Sequence, residues 1–200
     1  MNRRFYFDVE MTVTRGDDVH LVQSKLLHIL HGFNRSMDEP GVGVSFPKWF
    51  AHLDQKQSTV GTVFRFVGDR TILTIFAVNA SLSDLADHEV VDISGIKEVP
   101  TDVDEVRFIR DRLLERYRKE SDDQSIESFS KYVEAKSLTC QQFGGSVLMK
   151  NAWPPAVALK SKQNRKVYPI RVRMESSSEI VSGHFSSYGL SKEGSTVPLF

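Results

Sequence analysis

The order of residue patterns over the first hundred positions constrains the fold more than any other feature. Residues 3–13, RRFYFDVEMTV, alternate polar and apolar side chains, which is typical of a strand with one buried face. From residue 17 the spacing becomes helical, with Asp17 or Asp18 as the predicted cap and Gly32 near the predicted end. The apolar face of this helix comprises Val19, Val22, Leu26, Ile29, Leu30 and Phe33. The chain therefore begins with a strand and an amphipathic helix.

The next patterns complete a recognisable topology. Residues 42–46, VGVSF, and 62–68, TVFRFVG, predict two strands. Residues 70–88 predict a helix, although TILTIF within them also suits a strand and Asn79 is a candidate break. Residues 89–100, EVVDISGIKEVP, predict a closing strand. The order β-α-β-β-α-β is that of a ferredoxin-like domain, which we assign to residues 1–100.

A second α+β domain is expected over residues 101–200, after Pro100 and an acidic segment. EVRFI, PAVAL and KVYPIRVRM predict strands, as does the carboxyl-terminal segment, and Pro169 indicates an edge or a bulge. RDRLLERYRKE and SIESFSKYVEAKSL have helical spacing. We expect this domain to be a degenerate ferredoxin-like unit that carries a basic helix.

The charge of the chain is unevenly distributed, although the formal net charge is zero. Residues 1–105 hold 10 Lys+Arg against 16 Asp+Glu, whereas residues 106–173 hold 15 against 7, a balance of +8. Residues 159–174 contain six basic side chains and no acid. Such a stretch is either a solvated face or a surface for nucleic acid. The basic half is therefore where a polyanion is expected to bind.

Several classes of protein are disfavoured by what the sequence lacks. No apolar run approaches the roughly 20 residues of a membrane span, and no signal-peptide pattern opens the chain, so we expect a cytoplasmic protein. Cys140 is the single cysteine, and it permits neither an internal disulfide nor a zinc cluster. His28 and His31 are spaced like metal ligands, but no Asp, Glu or Cys completes a set. We predict no metal and no cofactor.

His31 is the histidine whose placement suggests chemistry. It lies opposite the apolar stripe of the predicted helix and directly before Gly32, so we expect it to face solvent at a helix end. A lone histidine in such a place is also an ordinary surface residue.

Three separated stretches together resemble one family. LHGFNRSMDEPGVGVSFP (30–47), SKQNRKVYPIRVRM (161–174) and FSSYGLSKEGSTVPLF (185–200) are similar to the repeat-cleaving CRISPR endoribonucleases of type I-F systems, the Csy family. The segments HGFN, SKQ and FSSYGLS resemble more closely the variants that accompany Tn7-like transposons. The resemblance implies that the chain cuts precursor CRISPR RNA at the base of the repeat hairpin and stays bound to the product.

The resemblance also implies roles for individual residues. His31 corresponds to the catalytic histidine, Ser161 to the catalytic serine and Tyr188 to the active-site tyrosine. Tyr168 occupies the position of an aromatic that stacks on the closing base pair of the stem. The other implied RNA-binding residues are Arg110, Arg112, Arg116, Arg118, Lys119, Lys162, Gln163, Asn164, Arg165 and Lys166.

The implied chemistry suits these residue types. A ribonucleotide carries its own nucleophile, the 2′-OH, so neither a metal nor a covalent enzyme intermediate is required. A histidine with an ordinary pKa of about 6.5 can accept that proton near neutral pH. The products expected are a 2′,3′-cyclic phosphate and a 5′-hydroxyl.

The chain departs from the family at two places. Asp111, Glu115 and Glu120 dilute the basic helix, and Gln163 and Asn164 replace small hydroxyl residues after the serine. The implied partners are the repeat hairpin, mature CRISPR RNA and the backbone and large subunits of a type I-F effector complex, with a monomer when free. The alternatives are a hairpin-binding subunit that does not cut, and a ferredoxin-like regulatory module without an RNA role.

Overall fold

A computed structural model describes residues 3–13, 15–37, 41–51, 57–112, 115, 154–161 and 166–200. Most of the predicted basic helix, with Arg116, Arg118 and Lys119, lies outside these residues, as do Cys140 and residues 162–165. Lys162, Gln163, Asn164 and Arg165 therefore stay predictions.

The first sheet is formed by the strands that the sequence predicted for the first hundred residues. Its main strands are β1 (Phe5–Met11), β2 (Gly43–Ser45), β3 (Val63–Gly68) and β4 (Val91–Ile93), in the order β2-β3-β1-β4. A short strand, β5 (Lys97–Glu98), also pairs with β1. The helices after β1 and β3 carry the chain back across the sheet, so β2 runs parallel to β1 and β4 runs parallel to β3. Because these strands interleave in the sheet, every pairing between neighbours is antiparallel. The α+β class is confirmed, and this half of the chain is compatible with a ferredoxin-like fold.

The first helix, α1 (Gly16–Ser36), is longer than predicted. Two expectations about its ends were wrong. Arg15 is the N-cap residue, so Asp17 and Asp18 lie within the first turn of the helix. The helix also continues for four residues beyond Gly32, because Phe33 and Asn34 are both buried by packing that outweighs the low helix propensity of glycine.

The predicted helix over 70–88 is two helices, α2 (Arg70–Ala77) and α3 (Ala80–Asp87). Asn79 separates them, as the sequence suggested, and its side chain caps α3 by accepting a hydrogen bond from the Ser81 N–H. TILTIF is helical, with Leu73 and Phe76 buried against the first sheet.

The second sheet is built from distant parts of the chain. Its strands are β6 (Asp104–Arg110), β7 (Ala156–Lys160), β8 (Val167–Ser177) and β9 (Val197–Leu199), in the order β7-β8-β6-β9. Pro169 pairs with Ala158 of β7, in the part of β8 that precedes its pairing with β6 at Val172. Pro169 is thus in a locally single-paired stretch, where its missing N–H breaks no ladder bond between β8 and β6.

The two sheets meet where the carboxyl-terminal segment contacts β2. The N–H of Val44 donates to the carbonyl of Gly189 at 2.9 Å. The buried hydroxyl of Ser45 donates to the carbonyl of Pro198 at 2.8 Å. β2 therefore hydrogen-bonds to β3 through one edge and to the end of the chain as well.

Two glycines allow this close approach. A Cβ on Gly43 would lie 2.6 Å from Cζ of the buried Phe185 ring. Gly189 has φ +72, and a Cβ there would lie 2.5 Å from a methyl carbon of Leu30 on α1. Residues larger than glycine at either position would separate the terminal segment from β2 and α1.

Among the residues that the structure describes, none forms a helix long and apolar enough to cross a membrane.

The continuation of α1 through Gly32 generates a stability prediction. Nothing lies within 4 Å of a Cβ placed on Gly32, so Gly32→Ala should raise the free energy of unfolding by about 0.5–1 kcal/mol. Gly189→Ala should lower it by about 1–3 kcal/mol, because of its positive φ and the contact with Leu30. Urea unfolding measures both. A loss of stability in Gly32→Ala would mean that the helix ends there after all.

Candidate active site

His31 lies in the second-last turn of α1, half-buried against the carboxyl-terminal segment. Its Nδ1 is 2.9 Å from the hydroxyl oxygen of Ser187. The expectation that His31 faces solvent at a helix end was therefore wrong, because residues 185–191 fold back over this face of α1. When Nδ1 carries the proton and donates it to Ser187, the basic lone pair of the imidazole is on Nε2.

Tyr188 stacks on the imidazole of His31. The ring centroids are 4.3 Å apart and the planes are inclined by only 11°. The Tyr188 ring therefore covers one face of the imidazole. The stack also fixes the plane in which the imidazole lies.

The phenol of Tyr188 is held in its neutral form. Burial is the main cause that raises its pKa well above 10.0, and the hydrogen bond with Tyr168 raises it further. The positive charges of Arg110 and Arg35 lower it, but by less. Tyr188 therefore stays protonated near neutral pH and cannot itself be the base there.

Tyr168 contacts Tyr188, the tyrosine that stacks on His31. Its hydroxyl oxygen is 2.9 Å from that of Tyr188, so the two phenols share a hydrogen bond. Tyr168 is half-buried on β8, whereas Tyr188 belongs to the terminal loop and His31 to α1. Tyr168 of the second sheet is therefore linked to His31 through the ring of Tyr188.

Ser187 and Asn34 are the residues that sequence reasoning missed. The Asn34 side chain is 97 % buried and donates from Nδ2 to the carbonyl of Val42 at 2.9 Å and, more weakly, to that of Ser187 at 3.4 Å. It therefore ties the loop that carries Ser187 to α1 and to the segment before β2. No local pattern reveals either role, since Ser187 lies more than 150 residues from both partners on α1.

Ser161 lies at the end of β7, where its N–H donates to the carbonyl of Lys166 at 2.9 Å and closes the connection to β8. It lines a cavity that His28 and Gly32 of α1 also line. Among the described residues, His31 contacts Tyr188 and Tyr188 contacts Tyr168. Ser161 lies beside a neighbouring turn of α1.

The described RNA-binding candidates differ in their surroundings. Arg110 makes a bidentate ion pair with Glu115, with Nη2 to Oε2 at 2.7 Å, and this hydrogen bond is the main reason that its pKa is raised. Glu115 also accepts from the backbone N–H of Arg171 at 3.2 Å. Arg112 and Lys166 are exposed. The Arg110 charge is therefore partly offset beside the two tyrosines.

The described part of the chain contains no group of three or more His, Cys, Asp or Glu residues suited to a metal ion.

Comparison with known proteins decides the family. The model of the family described as CRISPR-associated protein (Cas_Csy4) matches residues 6–200. The chain belongs to the Csy4 family. It is accordingly a CRISPR-associated RNA-binding endoribonuclease that processes CRISPR repeat RNA. No individual curated protein matches the chain significantly. Within the Csy4 family match, His31, Tyr188 and Tyr168 all lie in the matched range.

The neutral state of Tyr188 predicts a dependence of stability on pH. In the unfolded chain this phenol ionises near its ordinary pKa of 10.0, whereas burial and Tyr168 raise the pKa in the folded chain. Its contribution is complete below pH 10 and is lost as the pH rises towards the folded pKa. Urea unfolding from about pH 8 to 11 should show a steeper decline above about pH 10 for the wild type than for Tyr188→Phe. Parallel declines would show that Tyr188 is not buried as described.

Proposed function

We propose that the chain cuts CRISPR precursor RNA at the base of the repeat hairpin without a metal ion. In the proposed reaction His31 accepts the proton of the 2′-OH next to the scissile phosphate. The oxygen attacks phosphorus, the bond to the 5′-oxygen of the next nucleotide breaks, and that oxygen leaves as a 5′-hydroxyl after protonation. The other product carries a 2′,3′-cyclic phosphate.

The observation that carries the proposal is that the His31 imidazole is fixed by its contacts with neighbouring residues. Ser187 contacts Nδ1, Tyr188 covers one ring face, and α1 fixes the backbone. An imidazole held in one orientation is suited to transfer a proton at a defined atom. A surface histidine without a role would lose side-chain entropy in this arrangement and gain little.

Ser161 and Tyr168 have different proposed roles. Ser161 hydrogen-bonds the ribose or phosphate and so helps to orient the attacking oxygen. Tyr168 presents its ring to the last base pair of the stem, which sets where the duplex ends relative to His31. The contact between the Tyr168 and Tyr188 hydroxyls supports this assignment, because it holds the two rings at a fixed separation.

We extend the proposal to the assembly in which the RNA functions. After cutting, the chain stays bound to the mature CRISPR RNA and joins the backbone and large subunits of a type I-F effector complex in the cytoplasm. Free, it is a monomer of two domains, 1–100 and 101–200. Arg112 and Lys166, together with Arg116, Arg118, Lys119 and residues 162–165, supply phosphate and base contacts, and Arg110 reads the stem. Whether the complex serves interference or transposition is a matter of its other subunits.

A hairpin-binding subunit without nuclease activity is the alternative that the same basic surface allows. It requires no ordered histidine, and the stack of His31 with Tyr188 favours cutting over this alternative. A regulatory module without RNA is disfavoured by the family itself.

His31→Ala should abolish cleavage while hairpin affinity stays within about twofold, because a neutral imidazole adds little to phosphate attraction. The assay uses the repeat hairpin of the CRISPR array encoded beside the gene, with the products separated by size and tested for a cyclic phosphate. Ser187→Ala should slow cleavage roughly tenfold through loss of the Nδ1 contact, and Ser187→Thr should restore most of it.

His88→Ala is the matched control, because His88 is an exposed histidine at the end of α3 that contacts Asp84. It should cut like the wild type.

Excess chelator should leave wild-type cleavage unchanged, whereas an absolute requirement for a divalent ion would contradict the mechanism. Undiminished cutting by His31→Ala would remove His31 from the reaction.

Tyr168 provides a separate prediction because its ring and its hydroxyl have different tasks. Tyr168→Ala should weaken hairpin binding on the order of tenfold to a hundredfold, since base–aromatic stacking contributes roughly 1–3 kcal/mol. Tyr168→Phe should retain this affinity but cut more slowly, because the hydrogen bond that positions Tyr188 is lost. Binding and single-turnover cleavage, measured together, distinguish the two. Equal affinity losses for a hairpin and an unstructured RNA would mean that the ring does not stack on a stem.

A further inference from the structure

A concave surface that includes Ser161 runs along α1, and we call it the α1 groove. Apart from Ser161, its lining residues have no role in the reaction described above. It is a cavity of about 580 Å³ between α1, the start of α3 and the end of β7. Leu21, Lys25, His28 and Gly32 line it from α1, at positions that share one face of the helix. Ser161 lies in the same cavity.

The polar groups of the α1 groove favour an anion. Lys25 on α1 and Lys160 on β7 are exposed, and His28 lies on the same face of α1 as Lys25. None of the described lining residues is an acid. Asn79 and Ser81 add the amino-terminal end of α3, where the helix dipole also attracts negative charge.

The α1 groove also offers apolar surface. Leu21 is 69 % exposed, and Ile29 and Phe33 form part of the wall. A groove with cations along it and apolar side chains between them suits a single nucleic acid strand, whose phosphates and base faces need both kinds of contact. A free phosphate or a small carboxylate would use only the lysines.

The position of the groove indicates which part of the RNA would bind in it. Tyr168 and Tyr188 lie by His31, where the stem is proposed to end, while the α1 groove begins at Ser161 and Gly32. Leu21 and Gly32 are eleven positions apart on α1, a length of about 16.5 Å at 1.5 Å per residue. RNA that continues past the scissile phosphate on the side away from the stem therefore meets the groove first.

We infer that the α1 groove binds the single-stranded RNA that follows the cut, with Lys25 and Lys160 on its phosphates. The inference rests on the proposed function for the location of the cut. Its consequence is that the precursor is held on both sides of the scissile phosphate, by the stem on one side and by the groove on the other. After cleavage the 3′ fragment is bound by the groove alone.

The test compares the affinity of three RNAs whose nucleotide before the cut is 2′-deoxy, so that none can be cleaved. The first is the repeat hairpin ending at the stem base, and the others carry about six more nucleotides on the 3′ or the 5′ side. The 3′ extension should improve wild-type affinity roughly threefold to tenfold at low salt. It should also steepen the slope of log affinity against log salt by about 1.4, or about 0.7 for each of two phosphates.

The variants show whether the two lysines cause this gain. Lys25→Ala with Lys160→Ala should abolish both effects of the 3′ extension and leave the binding of the unextended hairpin unchanged, which also shows that the variant is folded. Lys97→Ala removes an exposed lysine of β5 outside the groove and should keep the gain.

Three results would overturn the inference: no gain from the 3′ extension, an equal or larger gain from the 5′ extension, or a gain that the lysine pair does not affect. The last is also the result expected if the groove binds a protein subunit instead. Failure of the proposed function looks different. The 3′-extended hairpin with an ordinary ribose before the cut would then bind with the same gain in affinity and remain uncut.

Discussion

The fixed point of this structure is the contact between the three-residue strand β2 and the carboxyl-terminal segment. Each residue of β2 is engaged: Gly43 by the Phe185 ring, Val44 by the carbonyl of Gly189 and Ser45 by the carbonyl of Pro198. The strand is at the same time an edge of the first sheet, and β9 belongs to the second. Its buried hydrogen bonds are costly to break, so this contact helps to fix the relative position of the two sheets.

This junction is what brings the site together. The loop that begins at Phe185 and returns through Gly189 can only pass over the last turns of α1, where Asn34 receives it and His31 contacts it. Tyr168 reaches the loop from the other sheet. His31 on α1 is therefore contacted by the loop, and the loop is contacted in turn by Tyr168 of the second sheet. A small shift of either sheet would alter the stack before it altered the core.

The sequence predicted the elements better than it predicted the contacts among them. Period-2 and helical spacing were enough for β1, α1 and β3, and Asn79 was correctly identified as a break because an asparagine cap is a local feature. Gly32 misled for the opposite reason: its neighbours Phe33 and Asn34 are buried by residues far away in the chain, and this packing determines where α1 ends. The association of His31 with Tyr188 came from family resemblance alone. Ser187 and the pairing of Arg110 with Glu115 depend on tertiary geometry that no spacing encodes.

The separation of His31 and Ser187, 156 positions along the chain, has a consequence for the order of folding. Contacts that close so long a loop form late, because the entropy of loop closure must be overcome before they add stability. The first sheet can form while the ribosome is still adding the residues that will cover α1. A nascent chain therefore lacks the contacts of His31 with Ser187 and Tyr188, which form only when the last residues fold against α1.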